Sequence, residues 1–557
     1  MKNRESNPEA ATHSKHIEET EMTSTEHGFN NTFPIEVTTK SRRIDIRTVA
    51  FIVVACIFAL CQGIFCFVWT RSRTSFILPV LLGILCSFLL IWFSLSSETG
   101  RIDEKVILRA WVITCSVLGC LYCFLMPVGC VPDEDYHYKH SYMYSDILLG
   151  QEFETNSLTM RRCDAEIDVL VSTDVYANAD DYRAVMNTPI FASEADAQQI
   201  THTFDHRSLS FSSNWPQIRL PSALGITLGR VLNLNGFLTF YLGRLFNLGY
   251  YMALVYAAIR ISTIGRNAFI AVSLLPMTLH LAASLSYDAT AIGFAFLLTA
   301  LCLKVASEEG PVSRKDLIGI LVVLFLTVPA KLVYSFVALL ALFTPSDRFS
   351  SKKNAIRFRL ILVAVFVLTC AASQLSRLLS VANSVYDSDR EYVLYTPNDL
   401  LTHPMMTIRI FINTFGTLSS SYLTQMIAGP LGWFQGNLNV PLIISIAFVV
   451  LMLYSGLANN NDRLMPNASL RTMMLVIAGV VVFAVMSSML LGCTSVDSDF
   501  IEGVQGRYFI PIMPLLLMGL RPRDVRIVGE GSRVTLVSAA FLNAITISTI
   551  YASVLMG

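Results

Sequence analysis

The sequence predicts an all-α integral membrane protein with about 13 transmembrane helices, and three observations carry that expectation. Hydrophobic residues make up 53% of the 557 positions against 15% charged, a balance too apolar for a soluble globular chain. They arrive in blocks of about 20, the length a helix needs to cross about 30 Å of hydrocarbon. Basic residues gather in alternate connections between those blocks, as they do when Lys and Arg stay on the cytoplasmic side. With 41 basic and 41 acidic residues the chain offers no excess charge to a polyanion, so no nucleic-acid partner is expected.

Residues 1–48 are polar, rich in Glu, Thr, Asn and His, and end on Lys40, Arg42, Arg43 and Arg47. They read as a disordered cytoplasmic tail, since a secretory signal peptide puts its charges and apolar stretch first. The polytopic membrane domain is 49–557. Spans 49–69, 75–95 and 106–126 cross out, back and out, with Arg71 and Arg73 in the first turn as a local exception to the charge rule. Residues 129–217 then form a first large external loop. The broken segment 220–235 is expected in the interface.

Span 237–259 returns ahead of Arg260 and Arg266, 268–285 leaves, and 288–306 returns ahead of Arg314 and Lys315. Segments 317–329 and 332–343 form a hairpin of short spans with Lys331 at its outer tip, because Arg348, Lys352, Lys353, Arg357 and Arg359 mark the next connection as cytoplasmic. Span 359–372 exits to a second external loop, 376–440, whose apolar piece 405–427 is interfacial or re-entrant by parity. Spans 441–457, 473–491, 508–520 and 534–555 complete the path. The N-terminus is thereby cytoplasmic and the C-terminus external, in the plasma membrane. Most cysteines lie in apolar segments, where a thiol acts as a small hydrophobe. Cys130, Cys163 and Cys493 lie in outer polar connections, where a Cys130–Cys163 disulfide can form.

Four places put charge at the outer membrane boundary. The first is Pro132-Asp133-Glu134-Asp135-Tyr136-His137, directly after the third span; in a helix Asp133 and His137 are i, i+4 neighbours. A plainer reading is an acidic helix start that complements the helix dipole. The second is Ser284-Leu285-Ser286-Tyr287-Asp288, where Asp288 is either a helix cap or a boundary carboxylate. The third is Lys331, a lone cation between apolar runs, which snorkelling also explains. The fourth is Gln505-Gly506-Arg507-Tyr508, an arginine on the side where anchoring arginines are not expected. It calls for an anionic partner: Glu502, Asp499, Asp497 or a lipid phosphate. Arg219, Arg230 and Arg244 add cations nearby.

These marks resemble a family of bacterial polytopic membrane proteins, domain of unknown function 2142. The resemblance rests on Pro132-Asp133-Glu134 with His137, Leu220-Pro221-Ser222-Ala223-Leu224-Gly225 with Gly229-Arg230, and Arg244-Leu245-Phe246-Asn247-Leu248. It continues in Leu275-Pro276-Met277, Ser284 to Asp288, Lys331 with Tyr334, Gly432-Trp433 and Gln505 to Phe509, in order along the chain.

That family is similar to the C-type (GT-C) glycosyltransferases, which implies a sugar transferase using a polyprenyl-phosphate-linked donor at the external face and a cell-envelope glycan as acceptor. On that reading Asp133 is the catalytic base. Glu134 and His137 orient it or join it in holding a divalent cation, Mg or Mn. Arg507 and Lys331, with Arg230 and Arg244, bind the donor phosphate, while Asp288, Tyr287 and Gln505 contact substrate. The chain departs from the superfamily pattern in having two spans ahead of the span that carries the acidic motif. A transporter or flippase of lipid-linked glycans, a glycan ligase or polymerase, and a non-catalytic envelope scaffold remain competing readings.

Overall fold

The structure, a computed structural model, describes residues 46–96, 103–152, 157–173, 177–203, 215–383, 393–432, 438–459, 462, 466–522, 525–527 and 531–556. The expected tail therefore lies outside the described residues but for its last few positions, as do parts of both large loops and Trp433. Ile44–Gly557 forms one compact unit.

Helices α1 (Ile46–Thr70), α2 (Arg73–Ser96) and α3 (Glu104–Leu125) follow the first three apolar blocks. Arg71 adopts a φ of 55° in the tight turn between α1 and α2. Asp103 caps α3 by accepting from the Lys105 N–H, satisfying a donor that the helix leaves unpaired.

The first large loop is structured. It contains α4 (Glu134–Leu148), β1 (Ser157–Arg161), α5 (Arg162–Thr173), α6 (Ala179–Asn187) and β2 (Gln199–Thr203). β1 and β2 pair antiparallel, Ser157 opposite Thr203 and Arg161 opposite Gln199, a small sheet that the all-helical expectation lacked. Buried Arg161 holds Asp164 at 2.6 Å and donates to Thr239 at 3.0 Å, tying this layer to the membrane helices. No disulfide joins Cys130 to Cys163.

The segment expected to be broken is a continuous helix, α7 (Pro216–Val231), which begins on a proline whose missing N–H costs nothing at that position. It packs on α8 (Gly236–Ile261) so closely that a side chain at Gly225 would strike the Leu242 backbone. The expected span 268–285 is instead two short helices, α9 (Arg266–Ser273) and α10 (Pro276–Ala282). Pro276 cannot continue the ladder, and every residue of both pieces is buried. Interrupted backbone at membrane depth is tolerated where protein covers it.

Next come α11 (Asp288–Ser307) and α12 (Arg314–Ala330), then the 3₁₀ segment Leu332–Phe343 and α13 (Lys352–Asn383). The expected hairpin is thus present, with Lys331 between its arms. α14 (Pro397–Thr402) precedes α15 (Pro404–Ile427), so the piece expected to be interfacial or re-entrant is one continuous 24-residue helix that is not among those apolar enough to cross a membrane. α16 (Leu442–Gly456), α17 (Ala468–Cys493), the 3₁₀ segment Gly506–Ile512, α18 (Met513–Leu520) and α19 (Gly531–Met556) complete the chain.

Among the described residues seven helices are long and apolar enough to cross a membrane, with three shorter apolar helical stretches. About 13 crossings were expected; segments such as α9–α10 are too short and interrupted to count by length. α11 sits at the centre, 89% of its apolar window buried, whereas α1 has 22% buried and turns Phe51, Ile57 and Phe65 outward. That gradient is how an apolar bundle meets lipid on its rim and protein inside.

Candidate functional site

Four elements end at one place. Asp133 precedes α4, Asp288 opens α11, Lys331 joins α12 to its 3₁₀ partner, and Arg507 lies at the start of Gly506–Ile512. Arg507 Nη2 is 3.5 Å from Asp133 Oδ2, Arg507 Nε is 3.5 Å from Asp288 Oδ2, and Lys331 Nζ donates to Asp288 Oδ1 at 2.7 Å. Charges from four distant stretches thus form one chain, Asp133–Arg507–Asp288–Lys331.

Local backbone explains why the acids face inward to this chain rather than serve as caps. Asp133 begins α4 with φ 60° and makes no capping hydrogen bond, and its side chain is 56% exposed. The Asp288 N–H is satisfied by the Ser286 hydroxyl at 3.2 Å, which leaves the Asp288 carboxylate to Lys331 and Arg507. Neither acid acts as the plain helix cap that its position allowed. Lys331 is held extended, φ −158°, between two helical arms, and Tyr334 one turn on donates to the Tyr508 carbonyl at 2.9 Å. That bond ties the lysine segment to the arginine segment.

Two buried arginines at this end behave oppositely. Arg244 is saturated: it donates to both oxygens of Glu134 at 2.9 and 2.6 Å and to the carbonyls of Cys123, Met126 and Pro127. Glu134 also accepts from the Leu285 N–H at 3.1 Å, and both side chains are wholly buried. Arg507 is also buried, but its carboxylates stand at 3.5 Å, beyond the 2.7–2.9 Å of a charge-assisted bond. Its Nε has no hydrogen-bond partner among the described residues. A guanidinium desolvated yet loosely held can accept an anion at little cost, since its burial penalty is already met.

Beside this chain lies a cavity of about 540 Å³ whose lining includes Lys331, Arg219, Tyr136, Tyr287, Tyr508 and Trp215. Val485, Met489 and Ile218 make part of its wall apolar. Lys331 lies 4.2 Å from the Tyr508 ring centroid and 5.4 Å from that of Tyr287; Arg219 lies 5.4 Å from Tyr287 on its own approach. Such contacts hold cations over aromatic faces. His137 stands behind Arg219, which donates to its Nδ1 at 2.6 Å. An imidazole that accepts from a guanidinium is neutral, with its proton on Nε2. Burial, followed by the charge of Arg219, holds the His137 pKa well below its ordinary value.

The sequence-derived set thus divides. Asp133, Arg507, Asp288, Lys331 and Tyr287 come together. Glu134 and Arg244 form a separate, wholly buried strut. Arg230 is turned elsewhere, onto Asp146 at 2.7 Å, Ser145 and Gln151, with its charge over the Tyr142 ring. Gln505 Oε1 is buried without a hydrogen-bond partner among the described residues. Asp133, Glu134 and His137 do not assemble a metal site: no cluster of His, Cys, Asp or Glu suited to a cation occurs among the described residues. The reason is that Glu134 is consumed by Arg244 and Leu285 while His137 turns to Arg219. The anionic partners of Arg507 are Asp133 and Asp288, not the nearby Glu502, which accepts from the Ser495 N–H. The sequence shows Arg219 as one more nearby cation, but its place in the cavity wall and its pairing with His137 depend on a contact 82 residues apart.

No curated protein and no solved structure matches the chain. The family described as "Predicted membrane protein (DUF2142)" matches residues 116–516, a stretch that holds α4, α11, the Lys331 junction and Arg507. The chain therefore belongs to that family of membrane proteins, whose matched region contains all four members of the charged chain.

Proposed function

We propose that this protein is a membrane glycosyltransferase of GT-C-like plan that moves a sugar from a polyprenyl-phosphate donor to a cell-envelope glycan at the external face. The observation that carries the reading is Arg507, a buried and loosely held guanidinium set between two carboxylates, one of which binds Lys331 in the wall of a cavity that is lined by Lys331, Arg219 and apolar side chains. A lipid phosphate asks for that combination: a fork for the phosphate oxygens and an apolar wall for the isoprenoid.

In the mechanism, the donor phosphate draws Arg507 and Lys331 to itself, and Arg507 leaves Asp133. The released Asp133 carboxylate takes the proton of the acceptor hydroxyl. The acceptor oxygen bonds to the anomeric carbon as the bond from that carbon to the phosphate oxygen breaks, and the phosphate departs with the electron pair, held by the two cations. Asp288 positions Lys331 and Arg507 for that approach, and Tyr287 and Tyr508, whose rings carry these cations, form the cavity wall beside the sugar. A transporter would need mobile charge within the helices; Arg244, inside α8, is instead saturated by Glu134 and backbone carbonyls.

The test is transfer from a panel of polyprenyl-phosphate-linked hexoses and pentoses in membranes carrying wild type or Asp133→Asn. Wild type is expected to transfer one of them, and Asp133→Asn to lose the transfer at equal protein level. Transfer undiminished in Asp133→Asn would overturn Asp133 as the base, and transfer of none by wild type would overturn the reaction.

A further inference from the structure

At the opposite end of α3 from Asp133, about 33 Å away along the helix at 1.5 Å per residue, lies a second cavity of about 750 Å³. One face of α3 supplies Lys105, Arg109 and Val112 at helical spacing, the last turns of α8 supply Tyr256 and Arg260, and α2 supplies Trp92. The acids on its rim are occupied: Asp103 caps α3, and Glu104 binds Arg266 at 2.9 Å. Lys105, Arg109 and Arg260 are exposed, and among the described residues none of their side chains has a hydrogen bond or ion pair. Cations thus stand at the helix ends, with aromatic and apolar side chains next to them toward the middle of the bundle.

We infer that this cavity is a binding site for an anionic phospholipid, with the phosphate between Arg109 and Arg260 and an acyl chain along Trp92 and Val112. Three cations without acidic partners among the described residues complement one headgroup phosphate. Trp and Tyr prefer the membrane interface, where one edge meets headgroups and the face meets chains. An ordinary anchoring arginine needs no cavity; this pair flanks one, and it is bounded by three helices. The site is independent of the sugar-transfer reading and lies on the other face of the bundle.

The experiment is native mass spectrometry of the purified full chain in detergent, with phosphatidylglycerol or phosphatidylcholine added at equal concentration. Wild type is expected to retain phosphatidylglycerol in preference to phosphatidylcholine, a comparison that needs no variant to fold. Arg109→Ala with Arg260→Ala should weaken phosphatidylglycerol about 25-fold, about fivefold for each basic residue at an anionic surface, while phosphatidylcholine is unchanged. The double Lys variant should keep most of the binding. Equal retention of the two lipids by wild type, equal phosphatidylglycerol binding by wild type and the Ala variant, or displacement of the lipid by the same concentration of inorganic phosphate would each overturn the inference.

Discussion

Asp133 holds a left-handed backbone, which costs a residue with a side chain about 1–2 kcal/mol, and it gives α4 no cap in return. Asp133→Gly is therefore expected to stabilise the protein by about 1 kcal/mol while abolishing transfer, a split read by thermal unfolding in detergent beside the transfer assay. Its neighbour behaves in the reverse way. Glu134→Gln leaves the Arg244 charge buried without its carboxylate and should destabilise by about 3–5 kcal/mol, seen as a lowered melting temperature. In the sequence the two acids stand side by side in one motif. What separates them is that Glu134 meets a partner 110 residues away and Asp133 one 374 residues away. His137 adds a pH dependence. Its folded pKa lies below the unfolded value of about 6.5, so the fold keeps its full contribution above that pH and loses it as pH falls below about 6.5. The melting temperature of wild type should drop there more than that of His137→Gln.

At the scale of elements, the apolar blocks announced α1, α2, α3 and α17 because each is one uninterrupted run of membrane length. Periodicity could not announce the α9–α10 break, since hydropathy stays high across Pro276 and burial on all sides leaves no polar face to mark the ends. The 3₁₀ segment Gly506–Ile512 falls at the start of the expected span 508–520 and carries an arginine on an unexpected side, but nothing in the sequence marks its 3₁₀ form. Its position depends on Gly506, whose added Cβ would collide with the Tyr422 carbonyl. Gly506→Ala should shift Arg507 and cut transfer about 100-fold, the loss typical of a displacement of about 1 Å at a reacting centre. Gly416→Ala in α15, where a Cβ meets open space, should leave transfer unchanged. Equal rates in both variants would show that Arg507 does not depend on that close approach.

For the whole molecule, composition was enough to establish membrane embedding, whereas of the about 13 crossings expected from charge in the connections, seven helices among the described residues are long and apolar enough to cross. The convergence of Asp133, Asp288, Lys331 and Arg507 was legible as placement at one boundary; their pairing was not, because contacts between helices distant in sequence leave no trace in spacing. The orientation makes a direct prediction. In a Cys493→Ser background, a membrane-impermeant maleimide added to intact cells should label Asp180→Cys on α6 and not Lys353→Cys on α13; the reverse pattern would invert the topology.

The central claim is that Arg507 waits for a lipid phosphate, so binding of polyprenyl phosphate to the purified chain tests it most directly. Arg507→Ala should weaken that binding between about tenfold and 100-fold, the worth of a charge-assisted hydrogen bond, whereas Arg230→Ala, whose charge is spent on Asp146, should leave it unchanged. Equal affinity in wild type and Arg507→Ala would contradict the account.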